Sequence, residues 1–194
     1  ASAPAATRTI GANGKISAAV IGTNGRGLAH IGCLTSLPGV EVTYICDVDT
    51  RAVAKGIKET AKKQTNVPQG LGDFRKMLAD PSVDVVIIAT PDHWHTPMAI
   101  MAMAAGKHVY LEKPCSQNPY EGELLLQAVN KYQRIVQMGA QRRSSAAMRQ
   151  IIPEIHNGLI GKTYFGKGWY ANNRSSIGHG KPAPVPEWLD YELW

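Results

Sequence analysis

Cysteine is scarce and scattered in this chain: three residues in 194, Cys33, Cys46 and Cys115. Their odd number and the lack of a Cys-x-x-Cys pair exclude a disulfide framework and a cysteine-based metal site, leaving buried or free thiols. No apolar run approaches the ~18–20 uncharged residues that a membrane span requires. The longest candidate, Met98–Ala105, is far too short, so no membrane partner is expected. A basic stripe with interleaved aromatics is missing too. Lys and Arg number 21 against 15 Asp and Glu, a net charge of +6, yet they are scattered, adjacent only in the pairs Lys62-Lys63, Arg75-Lys76 and Arg142-Arg143. Nucleic-acid binding is therefore disfavoured. With 44% hydrophobic and 19% charged residues, wholesale disorder is excluded as well.

What is present is a regular alternation of short apolar runs with longer helical stretches, the pattern of βαβ units and a parallel sheet. The runs are Ile16–Ile21, Val40–Cys46, Val83–Ala89, Val109–Leu111 and Ile135–Met138. Val83–Ala89 is apolar on both faces past Asp84, as expected of a strand covered by helices on both sides. Asp49 is placed to cap a helix in which Val53, Ile57 and Ala61 share a face. Thr96 before Pro97 reads as a cap followed by proline at the first helical position, with Gly106 closing that helix. Asn118-Pro119-Tyr120-Glu121 repeats the arrangement, Glu121 reaching back to the cap. A further helix is expected from about Ala146 to His156. After Gly158 the character changes: Lys162–Tyr170 alternates like a strand, and the remainder is rich in Gly, Pro and aromatics.

The expected fold class is thus α/β, a doubly wound parallel sheet of the Rossmann NAD(P)-binding type. Residues 1–14 form an N-terminal arm, 15–158 the dinucleotide-binding domain, and 159–194 the beginning of a second, incomplete α+β domain. The Ala-rich start without Met favours an exported, periplasmic location over a cytoplasmic one.

The first run leads directly into Gly22-Thr23-Asn24-Gly25-Arg26-Gly27, with a helix following. Glycine here lets the backbone turn tightly and approach a pyrophosphate at the positive end of the helix; the plainer reading is an ordinary strand-to-helix turn. The usual spacing is Gly-x-Gly-x-x-Gly, and Asn24 stands where its second glycine would be. Asp47, at the end of the second run and 25 positions after Gly22, is close to the ~20 expected for the acid that holds the ribose hydroxyls. A carboxylate there favours NAD and repels the extra phosphate of NADP.

Two further motifs follow later strands: Thr90-Pro91-Asp92-His93-Trp94-His95, and Leu111-Glu112-Lys113-Pro114. Together with the glycine loop they resemble the family of glucose–fructose oxidoreductase, inositol dehydrogenase and a rhizopine-catabolism protein, the similarity running from about Lys15 to Gly161. Asp92 replaces the commoner asparagine; Glu112, Lys113 and Pro114 match the family's Glu-Lys-Pro motif outright. The resemblance implies that Thr90, Pro91, His95, Glu112 and Lys113 belong to the cofactor pocket with the glycine loop and Asp47. It further implies that Lys113 is catalytic, bonding the substrate's reacting hydroxyl beside the nicotinamide, and that the Lys113–Pro114 peptide is cis. A lysine at the carboxyl end of a central strand lies where ligands of this fold bind, and partial burial there would suit it to proton transfer.

His93 and His95 have no third ligand nearby in sequence, so no metal is expected. Trp94 either lines the pocket or packs under the following helix. Arg142 reaches substrate or ties domains together. Trp169 and Trp188 stack on sugar faces or fill a core, and Arg174 or His179 are candidate partners for hydroxyls.

The resemblance implies a sugar or polyol substrate, NAD-dependent hydride transfer, and a homo-oligomer when the chain is full-length. The family's second-domain Asp-x-x-x-His motif does not occur after Lys162. Two alternatives are a glycosidase that uses NAD transiently, a branch that often departs from Glu-Lys-Pro, and a non-catalytic dinucleotide-binding module.

Overall fold

The computed structural model describes residues 14–169, 175–176 and 178–194. These fall into two compact units, one reaching Gly139 and taking in Pro186–Trp194, the other spanning Ala140–Val185. Most of the expected arm, Tyr170 and Arg174 lie outside the described residues.

The first unit is built on six parallel strands: β1 (Ile16–Ile21), β2 (Val40–Cys46), β3 (Gln69–Leu71), β4 (Val85–Ile88), β5 (His108–Leu111) and β6 (Val136–Met138). Their order in the sheet is β3-β2-β1-β4-β5-β6. The chain winds one way from β1 to β3 and the other way from β4 to β6, so β1 and β4 flank the switch point where a doubly wound sheet opens a crevice at its carboxyl edge. Helices α1 (Arg26–Leu34), α2 (Thr50–Thr60), α3 (Arg75–Leu78), α4 (His95–Ala104) and α5 (Pro119–Tyr132) connect the strands.

Each face of the sheet carries its own apolar cluster. Val20, Ile31, Val42, Ile45 and Ile87 pack on one side. Met77, Val86, Ile88, Met103 and Leu111 pack on the other. Burial of each such side chain stabilises by roughly 1.5–3 kcal/mol.

β1 and β2 coincide with the expected runs. β4 is shorter than its run, and just before it the Asp84 carboxylate accepts the Ser17 N–H at 2.8 Å. Asp49 caps α2, accepting from the Arg51 N–H at 2.8 Å. Asn118 caps α5, accepting from Glu121 N–H, while the Glu121 carboxylate takes the N–H of Gln117.

Two expectations fail. Thr96 is not a cap: a 3-10 turn over Asp92–Trp94 precedes α4, which begins at His95 and places Thr96 and Pro97 inside its first turn. Proline is tolerated there because that N–H has no helical partner. The Thr96 hydroxyl is buried and donates to the Cys115 carbonyl at 3.0 Å, tying α4 to the segment after β5. The expected strand at Lys162–Tyr170 is not formed over its described residues, 162–169, which are exposed and without strand pairing. Alternation alone cannot hold a strand that has no neighbour to satisfy its backbone groups.

The second unit contains α6 (Ala146–His156), at its expected place and capped by Ser145. Arg142 is exposed in a short turn beside a shallow depression with Arg143 and Arg149. Trp169 is also exposed, at 77%.

Thr96→Val keeps the shape of the side chain but leaves a buried carbonyl without its donor. It should lower stability by about 1–3 kcal/mol, read from urea unfolding. An unchanged midpoint would show that Cys115 finds its donor elsewhere.

Candidate functional site

At the carboxyl edge of the sheet, over the β1/β4 switch point, lies a cleft of about 590 Å³. Gly22, Asn24, Gly25 and Arg26 of the glycine loop line it, with Asp47 after β2 and Thr90 and Pro91 after β4.

Two of the loop's glycines are required by close approach. Gly22 has φ +84°, and a Cβ there would stand 2.6 Å from the Ala89 carbonyl. A Cβ at Gly27 would stand 1.9 Å from the Gly22 carbonyl oxygen, so α1 can cross the end of β1 only without a side chain at that position. A Cβ at Gly25 would meet nothing within 4 Å, leaving the backbone open to the cleft. No side chain caps α1 and no acidic residue occupies its first turn, so its positive end is free for an anion.

Asp47 is held before any ligand arrives. One carboxylate oxygen accepts the Thr23 N–H at 2.7 Å and the other the Asp49 N–H at 3.0 Å. Each oxygen keeps a lone pair for further donors. Thr90 Oγ1 is buried yet has no hydrogen-bond partner among the described residues, an orphan at the cleft wall. These residues fit a dinucleotide. Gly25 and the α1 terminus would face its pyrophosphate, Asp47 would offer acceptors to ribose hydroxyls, and a ligand could supply the partner that Thr90 Oγ1 lacks.

Four expected residues sit behind the cleft. Thr23 is fully buried, its hydroxyl donating to the Ala52 carbonyl at 2.9 Å. Gly27 is buried in the helix crossing. His95, 1% exposed, hydrogen-bonds through its two ring nitrogens to the carbonyls of Thr90 and Pro114. It thereby joins the loops after β4 and β5. Glu112 is buried and accepts from Arg26 Nε at 2.9 Å and from His30 Nε2 at 2.7 Å.

Lys113 is exposed past the end of β5, its N–H 3.3 Å from the Glu112 carboxylate, and the Lys113–Pro114 peptide is cis. Cys46 lines the cleft, but burial, with the carboxylates of Asp47 and Asp73, pushes its thiol up to about 12, so it is no nucleophile.

The sequence reading missed two features. One is His30, whose ring packs edge-on against Tyr110 at 5.1 Å beneath Glu112. Burial, the larger influence, holds His30 below its ordinary value despite Glu112, so the neutral ring donates. Burial by itself would raise Glu112, but hydrogen bonds from Arg26, His30 and the Lys113 N–H outweigh it and keep the carboxylate ionised. No local signal marks His30, which lies inside α1.

The other is Pro186–Trp194, which returns to the first unit. Trp188, Leu189, Leu193 and Trp194 line the cleft. Trp94 lines it too, packing on Phe74 and donating its indole N–H to the Trp194 carbonyl at 2.9 Å.

The fold and cleft define a dinucleotide-binding domain of the Rossmann type. The model of the Gfo/Idh/MocA oxidoreductase family, NAD-binding Rossmann fold, matches residues 16–140, and the chain belongs to this family. It is 32% identical over 174 residues to a glycosyl hydrolase family 109 protein of Saccharopolyspora erythraea, covering 87% of the chain and 38% of that protein. Among solved structures it resembles the WlbA dehydrogenase of Bordetella pertussis in complex with NADH and UDP-GlcNAcA. There the identity is 25% and the TM-score 0.69, over 77% of this chain and 44% of that one. It also resembles myo-inositol 2-dehydrogenase of Lactobacillus plantarum, at 25% identity and TM-score 0.68, over 76% and 43%. The chain therefore spans less than half the length of these relatives.

Two predictions follow from the geometry. His30 takes up its proton at a lower pH in the fold than in the unfolded chain, whose ordinary value is 6.5, so stability falls as pH drops below that value. Glu112 is held below its ordinary 4.5, so its contribution is full above that pH and is lost as pH falls through the folded value. In thermal unfolding from pH 7.5 to 3, His30→Gln should flatten the first stage relative to wild type and Glu112→Gln the second. A wild-type stability level between pH 7 and 5 would refute the first assignment.

For Asp47, calorimetric titration should give tighter binding of NAD than of NADP, with Asp47→Ala narrowing the gap. Equal affinities in the wild type would refute its placement at the ribose.

Proposed function

We propose that this chain is the cofactor-binding domain of an NAD-dependent dehydrogenase acting on a sugar or polyol. The observation that carries the reading is the shared edge of the sheet. The glycine loop, Asp47 and the unpartnered Thr90 hydroxyl line a cleft at the switch point, and Glu112 links that loop to the strand end that displays Lys113. Bound NAD would accept hydride from the substrate carbon. Asp47 and Gly25 bind and orient the cofactor. Lys113, exposed at the end of β5, holds or removes the proton of the reacting hydroxyl. The named activity of myo-inositol 2-dehydrogenase among the solved relatives supports a polyol or sugar as substrate.

A second reading, a glycosidase that oxidises its sugar transiently, is favoured by the 32% identical glycosyl hydrolase family 109 relative. The intact Glu112-Lys113-Pro114 motif weighs towards the dehydrogenase. Incubating the complete protein with free sugars, polyols and aryl glycosides while following NADH absorbance separates the two. Net NADH from a free sugar or polyol supports the dehydrogenase. Aryl alcohol released without net NADH supports the glycosidase. Neither signal, with NAD still bound, leaves a binding module.

In the complete protein, Lys113→Ala should lower kcat by ~10²–10⁴-fold, the usual worth of general acid–base catalysis. NAD affinity should change little, and Lys113→Arg should rescue little because guanidinium stays protonated. A parallel loss of affinity and turnover would make Lys113 a cofactor anchor instead.

A further inference from the structure

One end of the cleft is completed by a segment outside the residues matched by the family model. Pro186–Trp194 runs beside the start of α2. Leu189 forms an isolated antiparallel bridge with Asp49. The Thr50 N–H donates to the Trp188 carbonyl and the Asp190 N–H to the Val48 carbonyl, both at 3.0 Å. These bonds place the Trp188 indole against Arg51, whose guanidinium carbon lies 3.2 Å from the ring centroid.

The guanidinium is fixed in its own plane as well. Its Nε donates to Asp49 Oδ1 at 3.1 Å and its terminal nitrogen to Asp49 Oδ2 at 2.9 Å. With one edge on a carboxylate and one face on an indole, the opposite face is left, and the Arg51 side chain remains 55% exposed. Arg51 and Trp188 line the same cleft as Asp47. If Asp47 receives the adenosine ribose, the base joined to that ribose must lie at this end.

We propose that the Arg51–Trp188 stack is the adenine subsite, with the purine stacking on the open face of the guanidinium and Pro186–Trp194 serving as its backing. This rests on the cofactor reading above. A planar cation clamped before the ligand arrives loses little freedom when a base stacks on it, and stacking of this kind uses the π-face of the base. Because Asp49 already matches its charge, Arg51 is a poor partner for a 2′-phosphate. The subsite therefore acts in the same direction as Asp47, towards NAD.

The test is calorimetric titration of NAD and of ADP-ribose into the full chain and its variants. Trp188→Ala and Arg51→Ala should each weaken both ligands by about 5- to 100-fold, the range of a lost base stack, and by the same factor for each ligand. Trp188→Phe, which keeps an aromatic backing, should retain most of the affinity, and Arg51→Gln covers the case in which an indole deletion fails to fold. A wild type that binds neither ligand overturns the cofactor reading and this subsite with it. A wild type that binds both while Trp188→Ala binds them as tightly, or more tightly, overturns the subsite alone. So does a loss confined to NAD, which would move Trp188 to the nicotinamide end.

Discussion

The carboxylate of Glu112 is a buried charge with two donors on one helix, Arg26 and His30, and a third on its own strand end, the N–H of Lys113. Parallel strands leave their carboxyl-terminal loops without ladder partners, and β1 is separated from β5 by β4. Something other than the sheet must therefore fix the glycine loop relative to Lys113. A buried carboxylate does so stringently, because losing one donor leaves a charge in low dielectric with too little to balance it. His95 does the matching job between the loops after β4 and β5, through the carbonyls of Thr90 and Pro114. The edge of the sheet is thus knitted by two buried side chains that hold the cleft and touch little of its surface.

This division explains what was legible in the sequence. β1 and β2 were readable because continuous apolar runs ending in glycine or aspartate carry their own boundaries. Asp47 was readable because its distance from Gly22 is fixed by one βαβ turn. β3 escaped notice: three residues at the sheet edge, Gln69–Leu71, hold no apolar run and include a glycine. Thr96 misled because Thr-Pro has the local form of a cap, whereas its hydroxyl is claimed by Cys115, 19 residues away. The stretch from Lys162 misled in the opposite sense, having period two without a partner strand among the described residues. The Arg26–Glu112 pair spans 86 residues and the Thr50–Trp188 contact 138, separations over which no spacing rule operates.

Candidate site residues sorted in the same way. Residue types demanded by backbone approach or by charge, such as Gly22 and Asp47, line the cleft, while His95 and Glu112 turned out to lie behind it. A motif records only that its residues belong together; whether a member faces the ligand or braces the one that does depends on which way its side chain leaves the strand end. Glu112 and Lys113 are adjacent just past the end of β5, one 3% exposed and the other open to solvent. The motif thus pairs a buried brace with an exposed lysine.

The departure at Asn24 fits the same logic. In the usual spacing the second glycine lets the backbone come close to the pyrophosphate. Here Gly25 offers the open backbone one position later, at the N-cap of α1, where the helix's unpaired N–H groups begin. Asn24 is then released to accept from Lys55 Nζ at 2.8 Å, which brings a positive charge from α2 to the loop. A glycine at position 24 would keep the turn but lose that cation's anchor on the loop. Asparagine here therefore exchanges backbone freedom at one position for a cation held beside the loop, and the loop can bear it because Gly22 and Gly27 still satisfy the two contacts that admit no Cβ.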